Sequence, residues 1–155
     1  MNAEDVRSGG QDSSKLRYPR QEKFKELVQL DLNSVDTTTL KMVPGIASYR
    51  ARQIVRYRDR LGGFVSIDQL SEIEGFPADE LSVWFKVETG VTKRININKA
   101  AVPEMGRHPY IGFARARAIA DYRRKQGHIN SLADLQLLTG FGSDDIVRIE
   151  PYIEY

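Results

Sequence analysis

The fold is decided by the segment NSVDTTTLKMVPGIASYRARQIVRYRDRLGGFVSIDQLSEIEGFPAD at residues 33–79, which returns as NKAAVPEMGRHPYIGFARARAIADYRRKQGHINSLADLQLLTGFGSD at residues 98–144. The two copies align at an offset of 65 positions without a gap, and fifteen of the 47 paired positions are identical. Self-similarity at a fixed offset is the signature of a repeated structural unit. The sequence therefore predicts two small domains of one architecture.

The repeat divides the chain into three segments with different charge. Residues 1–29 form a lead-in of net charge +1, whose first twenty residues are poor in large apolar side chains and are predicted to be disordered. Residues 30–92 form the first unit, with a net charge of −2, and residues 93–155 form the second, with +3. A polyanion is expected to meet the second unit in preference.

Composition excludes several classes of protein. The chain has no cysteine, which rules out disulfides and thiolate metal sites. No apolar run reaches the length that would cross a bilayer, so no membrane segment is predicted in this chain. Two histidines without acidic or cysteine partners at ligand spacing predict neither a metal site nor a cofactor.

Each copy has the pattern of four helices joined by short turns. An apolar stripe with helical period predicts the longest helix at residues 48–61, and its twin at 113–126. The paired asparagines Asn33 and Asn98 are expected to cap the first helix of each unit, because their side-chain oxygens can accept from free amides of the first turn. The prediction is an all-α protein.

Four hairpins connect these helices. They are Val43-Pro44-Gly45-Ile46-Ala47, Glu74-Gly75-Phe76-Pro77, His108-Pro109-Tyr110-Ile111-Gly112 and Thr139-Gly140-Phe141-Gly142. Glycine permits a tight turn, and the apolar residue between the small residues is expected to point back into the unit.

This ordered set of turns, with Arg50, Gly62, Ser66 and Leu70 and their twins between them, resembles the paired helix-hairpin-helix domain and most of all the ComEA-type competence DNA-binding family. The resemblance covers nearly all of both units. It implies two tandem helix-hairpin-helix units that bind double-stranded DNA without sequence preference. It also implies a role in DNA uptake or handling outside the cytoplasm, as part of a membrane-anchored parent protein.

The resemblance implies contact between hairpin amides and DNA phosphates. Small residues let the DNA backbone approach, and free amides at the positive end of a helix can receive a phosphate. The arginine just past a hairpin is placed to pair with the same phosphate. The DNA-binding residues so implied are Gly45, Ile46, Ala47, Arg50, Ile111, Gly112, Arg115, Gly140, Phe141 and Gly142.

The hairpins depart from the family pattern to different degrees. The fourth keeps both glycines and is expected to be the best site, although Asp144 and Asp145 beside it would repel phosphate. The first has Ala47 in the second glycine position, which is a mild change. The third has Tyr110 in the first glycine position, which is expected to distort the turn or to add a packing or stacking ring. Pro77 lacks an amide donor, so the second hairpin is expected to be structural.

Other basic residues have competing interpretations. Arg52, Arg56 and Arg60 lie at i, i+4 and i+8 and form one stripe, which is either a solvated helix face or a DNA contact. Arg58 and Arg123 fall toward the apolar side and are expected to pair inside their units.

Three functions remain open at this stage. The first is non-catalytic binding of double-stranded DNA, and no nucleophile–base arrangement indicates an enzyme. The second is a helical scaffold that binds a protein partner through hairpins that no longer bind DNA. The third is an accessory domain of a nucleic-acid enzyme whose catalytic part a partner supplies.

Overall fold

The computed structural model describes residues 22–155 and confirms the all-α class. The predicted lead-in, residues 1–29, lies mostly outside the described residues. The α-helices are α1 (Thr37–Leu40), α2 (Ser48–Leu61), α3 (Ala78–Leu81), α4 (Val102–Gly106), α5 (Gly112–Gln126), α6 (Leu132–Gln136) and α7 (Ser143–Ile149), and 3-10 helices occupy Ile67–Glu72, Ser82–Trp84 and Glu150–Tyr152. The first unit uses the 3-10 helix Ile67–Glu72 where the second uses α6. Each unit therefore has the four helical segments that the repeat predicts.

Short parallel strands close each unit, which the sequence did not predict. In the first unit β1 (Leu30–Asp31) pairs with β2 (Phe85–Lys86), and in the second β3 (Ile95–Asn96) pairs with β4 (Ile153–Glu154). The last helical segment of the first unit ends at Trp84. The chain becomes extended there because Phe85 joins the ladder with Leu30, which brings the start and the end of the unit together.

The paired asparagines do not cap helices, so that prediction is wrong. The Asn33 side chain accepts from the Phe64 amide at 2.6 Å and donates to the Phe64 carbonyl at 2.8 Å. Asn98 makes the same two bonds to Ile129, at 2.8 and 2.9 Å. A side-chain amide carries both a donor and an acceptor, so it satisfies both backbone groups of one residue. The cap of α1 is Asp36, which accepts from the Thr39 amide.

Arg58 and Arg123 bind inside their units, as predicted. Nη1 of Arg58 donates to the carbonyls of Leu32 and Val35, at 3.0 and 2.7 Å. Nη1 of Arg123 donates to the equivalent carbonyls of the second unit, with 2.6 Å to Ala100. These residues hold the long helix against the start of the unit.

Two tyrosines of the second unit lie in the core of the first. Tyr110 and Tyr152 are buried among the apolar residues of the first unit, while the remaining core of the second unit forms a separate cluster. Nε2 of Gln69 donates to both tyrosine hydroxyls, at 2.8 and 2.9 Å. Tyr110 in turn donates to the Glu72 carboxylate. The two units are thus joined by a buried polar network as well as by apolar packing.

His108 adds a second connection between the units. Its Nε2 lies 2.8 Å from the Leu61 carbonyl, and its Nδ1 accepts from the Tyr110 amide. Nε2 must therefore carry the proton, and the ring is neutral. Burial lowers the pKa of His108 to about 4, an effect only partly offset by the hydrogen bond to Leu61.

The segment between the units is tied down at Gly62. Its carbonyl accepts from the amides of Thr92 and Lys93, at 2.9 and 3.1 Å. Gly62 has a φ of +92°, and a β-carbon there would fall 2.1 Å from the Lys93 carbonyl oxygen. Only glycine fits at this position, because its backbone is in the left-handed region and the backbone of Lys93 lies against it.

Residues before the predicted start of the first unit also pack against it. The Phe24 ring stacks on Trp84 with 6.1 Å between centroids, and the Phe24 amide donates to the Met42 carbonyl. Nζ of Lys23 donates to the carbonyls of Lys41 and Ile46. Lys23 and Phe24 therefore pack on the first unit from outside its predicted bounds of residues 30–92.

Candidate nucleic-acid interface

The first hairpin presents an uncapped helix start. Gly45 makes the turn with a φ of +94°, Ile46 is fully buried beneath it, and Ala47 is extended and exposed. The fourteen-residue helix α2 begins at Ser48, and no side chain of residues 22–155 caps it. The first amides of a helix have no partner within the helix. The amides of Ser48 and Tyr49 are therefore free donors at the positive end of a long helix.

Arg50 closes the first hairpin from one side. Its Nη1 donates to the Gly45 carbonyl at 2.7 Å. That bond uses one of five guanidinium N–H groups, so the positive charge stays beside the free amides of α2 with donors to spare.

The third hairpin is reorganised around Tyr110. The left-handed residue is Gly112, with a φ of +72°, and not the residue at the position of Gly45. The Ile111 and Gly112 amides both donate to the His108 carbonyl, at 3.1 and 3.0 Å. Ile111 is buried and Tyr110 enters the first unit. The expected phosphate contacts at Ile111 and Gly112 therefore lie in a turn that is already bonded internally and used to join the units.

The fourth hairpin repeats the turn of the first but is closed by a carboxylate. Gly140 has a φ of +96°, and Phe141 is buried as Ile46 is. The Gly142 amide, however, donates to Oδ2 of Asp145 at 2.9 Å. The position where a phosphate oxygen was expected holds a carboxylate oxygen of the protein itself.

Arg115 connects this carboxylate to both hairpins of the second unit. Its Nη2 lies 2.9 Å from Oδ1 of Asp145. Its Nε donates to the Gly140 carbonyl at 2.7 Å, and its Nη1 to the Tyr110 carbonyl at 3.1 Å. Three N–H groups of the guanidinium are used within the unit, and its charge is offset by Asp145.

The second hairpin has no donor where one would be needed. Gly75 turns with a φ of +72° and Phe76 is buried. Pro77 precedes the four-residue helix α3, whose first turn carries Asp79 and Glu80. These two negative charges are unfavourable to a phosphate.

The sequence located all four turns but missed what distinguishes them. Gln53 of α2 donates to the Glu74 carbonyl of the second hairpin, whereas Arg115 donates to carbonyls of both the third and the fourth. The role of Asp145 had a signal in the sequence, since an acidic residue at the third position of a helix can reach back to the amide before it. The Gln69 network had no such signal in the sequence of one unit, because its members come from both units.

Other kinds of site find no support among residues 22–155. That part of the chain contains no group of three or more His, Cys, Asp or Glu side chains placed to hold a metal ion. It also contains no helix that is long and apolar enough to cross a membrane.

Comparison with known proteins agrees with the geometry of the four turns. The family model described as "Helix-hairpin-helix motif" matches residues 25–82 and again residues 91–154. The chain belongs to the helix-hairpin-helix family. This helix-hairpin-helix protein therefore carries the motif in both of its units, and such motifs generally bind nucleic acid.

Several relatives of the helix-hairpin-helix protein have the same name. The mouse "Endonuclease/exonuclease/phosphatase family domain-containing protein 1" is 26% identical over 153 residues, which cover 78% of this chain and 27% of the relative. The human protein of that name is 25% identical with the same coverage, and the zebrafish (Danio rerio) protein is 25% identical over 81% of this chain. The chain thus spans about a quarter of the length of the curated relatives it matches.

Proposed function

We propose that this helix-hairpin-helix protein binds double-stranded DNA without sequence preference, and that the first hairpin is its principal phosphate contact. The observation that carries the proposal is the start of α2. A fourteen-residue helix begins there without a side-chain cap, on an exposed turn of small residues. The family match supports nucleic acid as the ligand, since helix-hairpin-helix motifs generally bind it.

In the proposed complex, a phosphate oxygen accepts from the amides of Ser48 and Tyr49. Arg50 supplies the adjacent positive charge, held in place by its bond to the Gly45 carbonyl. Ala47 carries only a methyl group, so the sugar–phosphate backbone can approach the turn closely. Contacts of this kind go to phosphate and carry no information about the base sequence.

The experiment removes one backbone amide donor from the start of α2. In Ser48→Pro the first residue of α2 loses its N–H, and proline is well tolerated at this helix position. Ala47 already has the extended conformation that a following proline requires. Affinity for mixed-sequence duplex DNA, measured by fluorescence anisotropy, is expected to fall by about tenfold to a hundredfold, the effect of a lost hydrogen bond to a charged group.

The fourth hairpin offers the matched control. Ser143 is the first residue of α7 and follows Gly142, which is also extended. Ser143→Pro is expected to leave affinity unchanged, because Asp145 already closes that turn. A larger loss in Ser143→Pro than in Ser48→Pro would overturn the assignment to the first hairpin, and no binding by the unchanged protein at low salt would overturn DNA binding itself.

One finer part of the proposal rests on resemblance alone. A role in DNA uptake or handling outside the cytoplasm has the support of the turn pattern shared with ComEA-type proteins. It requires equal affinity for unrelated duplex sequences, which competition between duplexes of different base composition would measure. A strong preference for one sequence would contradict it.

The relatives' name favours a second candidate, in which the two units deliver nucleic acid to a nuclease. In either case we propose that the helix-hairpin-helix protein itself is not an enzyme. Labelled duplex incubated with the purified chain and Mg²⁺ or Mn²⁺ is expected to stay intact. Cleavage that persists through repeated purification would contradict this.

A scaffold that binds a protein partner is the alternative of a different class. It is favoured by the second, third and fourth hairpins, where the amides of Ala78, Gly112 and Gly142 are already bonded within the chain. The exposed apolar side chains of Leu137 and Val147 also favour it. The salt series separates the two classes. DNA binding predicts that log affinity falls linearly with log salt concentration, with a slope of about −0.9 per phosphate contact.

A further inference from the structure

We infer that the exposed arginine row of α2, made of Arg52, Arg56 and Arg60, is a second line of phosphate contacts that lays one strand of the nucleic acid along this helix. The inference rests on the proposed function, since it extends the path of the same ligand. It assigns the row to binding rather than to a solvated helix face.

The three arginines share one side of the helix with the free amides. Arg52, Arg56 and Arg60 are exposed, and they lie at successive intervals of four residues. Ser48 and Tyr49 are exposed at the start of the same helix, while Ala51 and Ile54 face the core. From Arg52 to Arg60 the helix rises about 12 Å. DNA advances about 3.4 Å per nucleotide, so the row spans roughly three to four nucleotides of one strand.

The row is electrostatically unsatisfied within the protein. Neither Arg52 nor Arg56 forms an ion pair or a hydrogen bond with any residue of 22–155. Like charges four residues apart on a helix repel and destabilise it. A row built only for solubility would alternate the two signs of charge. Here the row has three cations in succession, and Asp59 is the one acidic residue of α2. The repulsion among these cations is relieved when a polyanion lies against them.

The end of the row is fixed by the second unit. Nε of Arg60 donates to the Arg107 carbonyl at 3.3 Å. An open cleft of about 260 Å³ lies at this junction, and the charged side chains that line it are Asp59, Arg60, Lys93, Glu104 and Arg107. Three cations against two anions leave it weakly positive. The row therefore runs from the first hairpin to the junction and is anchored there.

The equivalent face of α5 provides a contrast within the same chain. Its residues at the twin positions are Arg117, Asp121 and Lys125. Asp121 replaces the central arginine and pairs with Arg124 at 2.7 Å. The second unit has the greater net positive charge, but its long helix lacks a continuous row. The row thus coincides with the open hairpin and is interrupted beside the closed ones.

The test compares two double variants with the same change in charge. Arg52→Gln/Arg56→Gln is expected to reduce duplex affinity about fiftyfold at 0.1 M salt and to flatten the salt slope by about 1.8, the effect of two lost phosphate contacts. Arg117→Gln/Lys125→Gln is expected to change affinity less than threefold and to leave the slope within error. Arg52→Lys/Arg56→Lys should keep the slope, because the charges remain. Circular dichroism melting would show that all variants fold.

The outcomes separate this inference from the proposed function. Equal losses in the two glutamine variants would show a diffuse effect of charge and would overturn the arginine row. A slope unchanged in Arg52→Gln/Arg56→Gln, together with a loss in Ser48→Pro, would overturn the row and leave hairpin binding intact. Absence of salt-dependent binding in the unchanged protein would overturn both.

Discussion

The first and the fourth hairpins have the same backbone and opposite charge at one position. Gly45 and Gly140 turn with nearly equal φ, of +94° and +96°. The third residue of the following helix is Arg50 in the first and Asp145 in the fourth. The arginine bonds to a carbonyl of the turn, whereas the carboxylate bonds to an amide. A repeated turn thus keeps its shape, while the side chain at this one position determines whether a carboxylate bonds to an amide of the turn.

The comparison also shows that intact glycines and unoccupied amides are different properties of a hairpin. The fourth hairpin has the family pattern Gly140-Phe141-Gly142, and it is the one filled by an internal anion. The first has Ala47 in place of the second glycine and stays open. Whether a turn can receive phosphate depends on the charge two or three residues beyond the pattern, where the sequence motif makes no demand.

The largest expected effect comes from giving the third hairpin the glycine of the first. Tyr110→Gly removes a buried ring from the core of the first unit and takes one hydrogen-bond partner from each of Gln69 and Glu72. We expect the free energy of unfolding to fall by about 3–5 kcal/mol, as in other large-to-small replacements of buried aromatics. Urea denaturation followed by tryptophan fluorescence would measure it. Tyr49→Ala removes an exposed ring and should cost little.

The next largest effect is a dependence of stability on pH, which tests the burial of His108 between the two units. His108 is neutral when folded, with its pKa lowered to about 4, and it takes up a proton more readily when unfolded. Stability is therefore complete above about pH 6.5 and is lost as pH falls toward 4, with a loss of about 2 kcal/mol between pH 7 and 5. Urea midpoints at the two pH values would measure it.

Two asparagine variants check that the loss belongs to the buried ring. His108→Asn should lower stability at pH 7 and remove most of this pH dependence. His128→Asn replaces an exposed histidine and should retain it. A wild-type midpoint that is the same at pH 7 and pH 5 would contradict a neutral, buried His108.

A smaller effect is expected from opening the fourth hairpin. Asp145→Ala removes the acceptor of the Gly142 amide and frees Arg115. Loss of such a cap costs about 1 kcal/mol of stability. One additional phosphate contact should raise duplex affinity about eightfold at 0.1 M salt. Asp144→Ala removes the same charge without the cap, and an equal gain there would mean that the carboxylate acts only through net charge.

The smallest effect concerns the exposed apolar surface of the second unit. Leu137 occupies the position of Glu72 in the repeat and is 75% exposed. Leu137→Glu should change the free energy of unfolding by less than about 0.5 kcal/mol. Duplex affinity should not rise. A loss of stability beyond that limit in thermal melting would indicate that Leu137 packs on part of this chain.

The sequence predicts the framework well because the framework is local. Ala51 and Ile54 recur at helical spacing, so α2 has the predicted bounds. Gly45 and Gly140 lie in left-handed turns, as tight hairpins require. Arg58 falls on the apolar side of its helix and binds carbonyls there. The helix bounds, the turns and the helix face on which Arg58 lies depend on neighbours within a few turns of the chain. The carbonyls that Arg58 binds, of Leu32 and Val35, lie 26 and 23 residues away.

The features that the sequence missed depend on distant partners. Asn33 looks like a helix cap but bonds to Phe64, 31 residues away, because the first turn is capped by Asp36 instead. Comparison of the copies marked Tyr110 as unusual, yet its place in the first unit's core could not be read without the orientation of the units. The same holds for the candidate site. The sequence located the four turns, but it did not show that Asp145 bonds to the Gly142 amide of the fourth.

The crossing at Gly62 has a consequence for how much freedom is lost on binding. The amides of Thr92 and Lys93 are held by its carbonyl, and the segment between the units is not a hinge. A flexible tandem protein surrenders entropy when its second unit joins the first on a ligand. In this protein the conformational entropy of the segment between the units is already lost on folding. A ligand that touches both units would therefore meet them already held together, and binding would cost little further ordering of the segment between them.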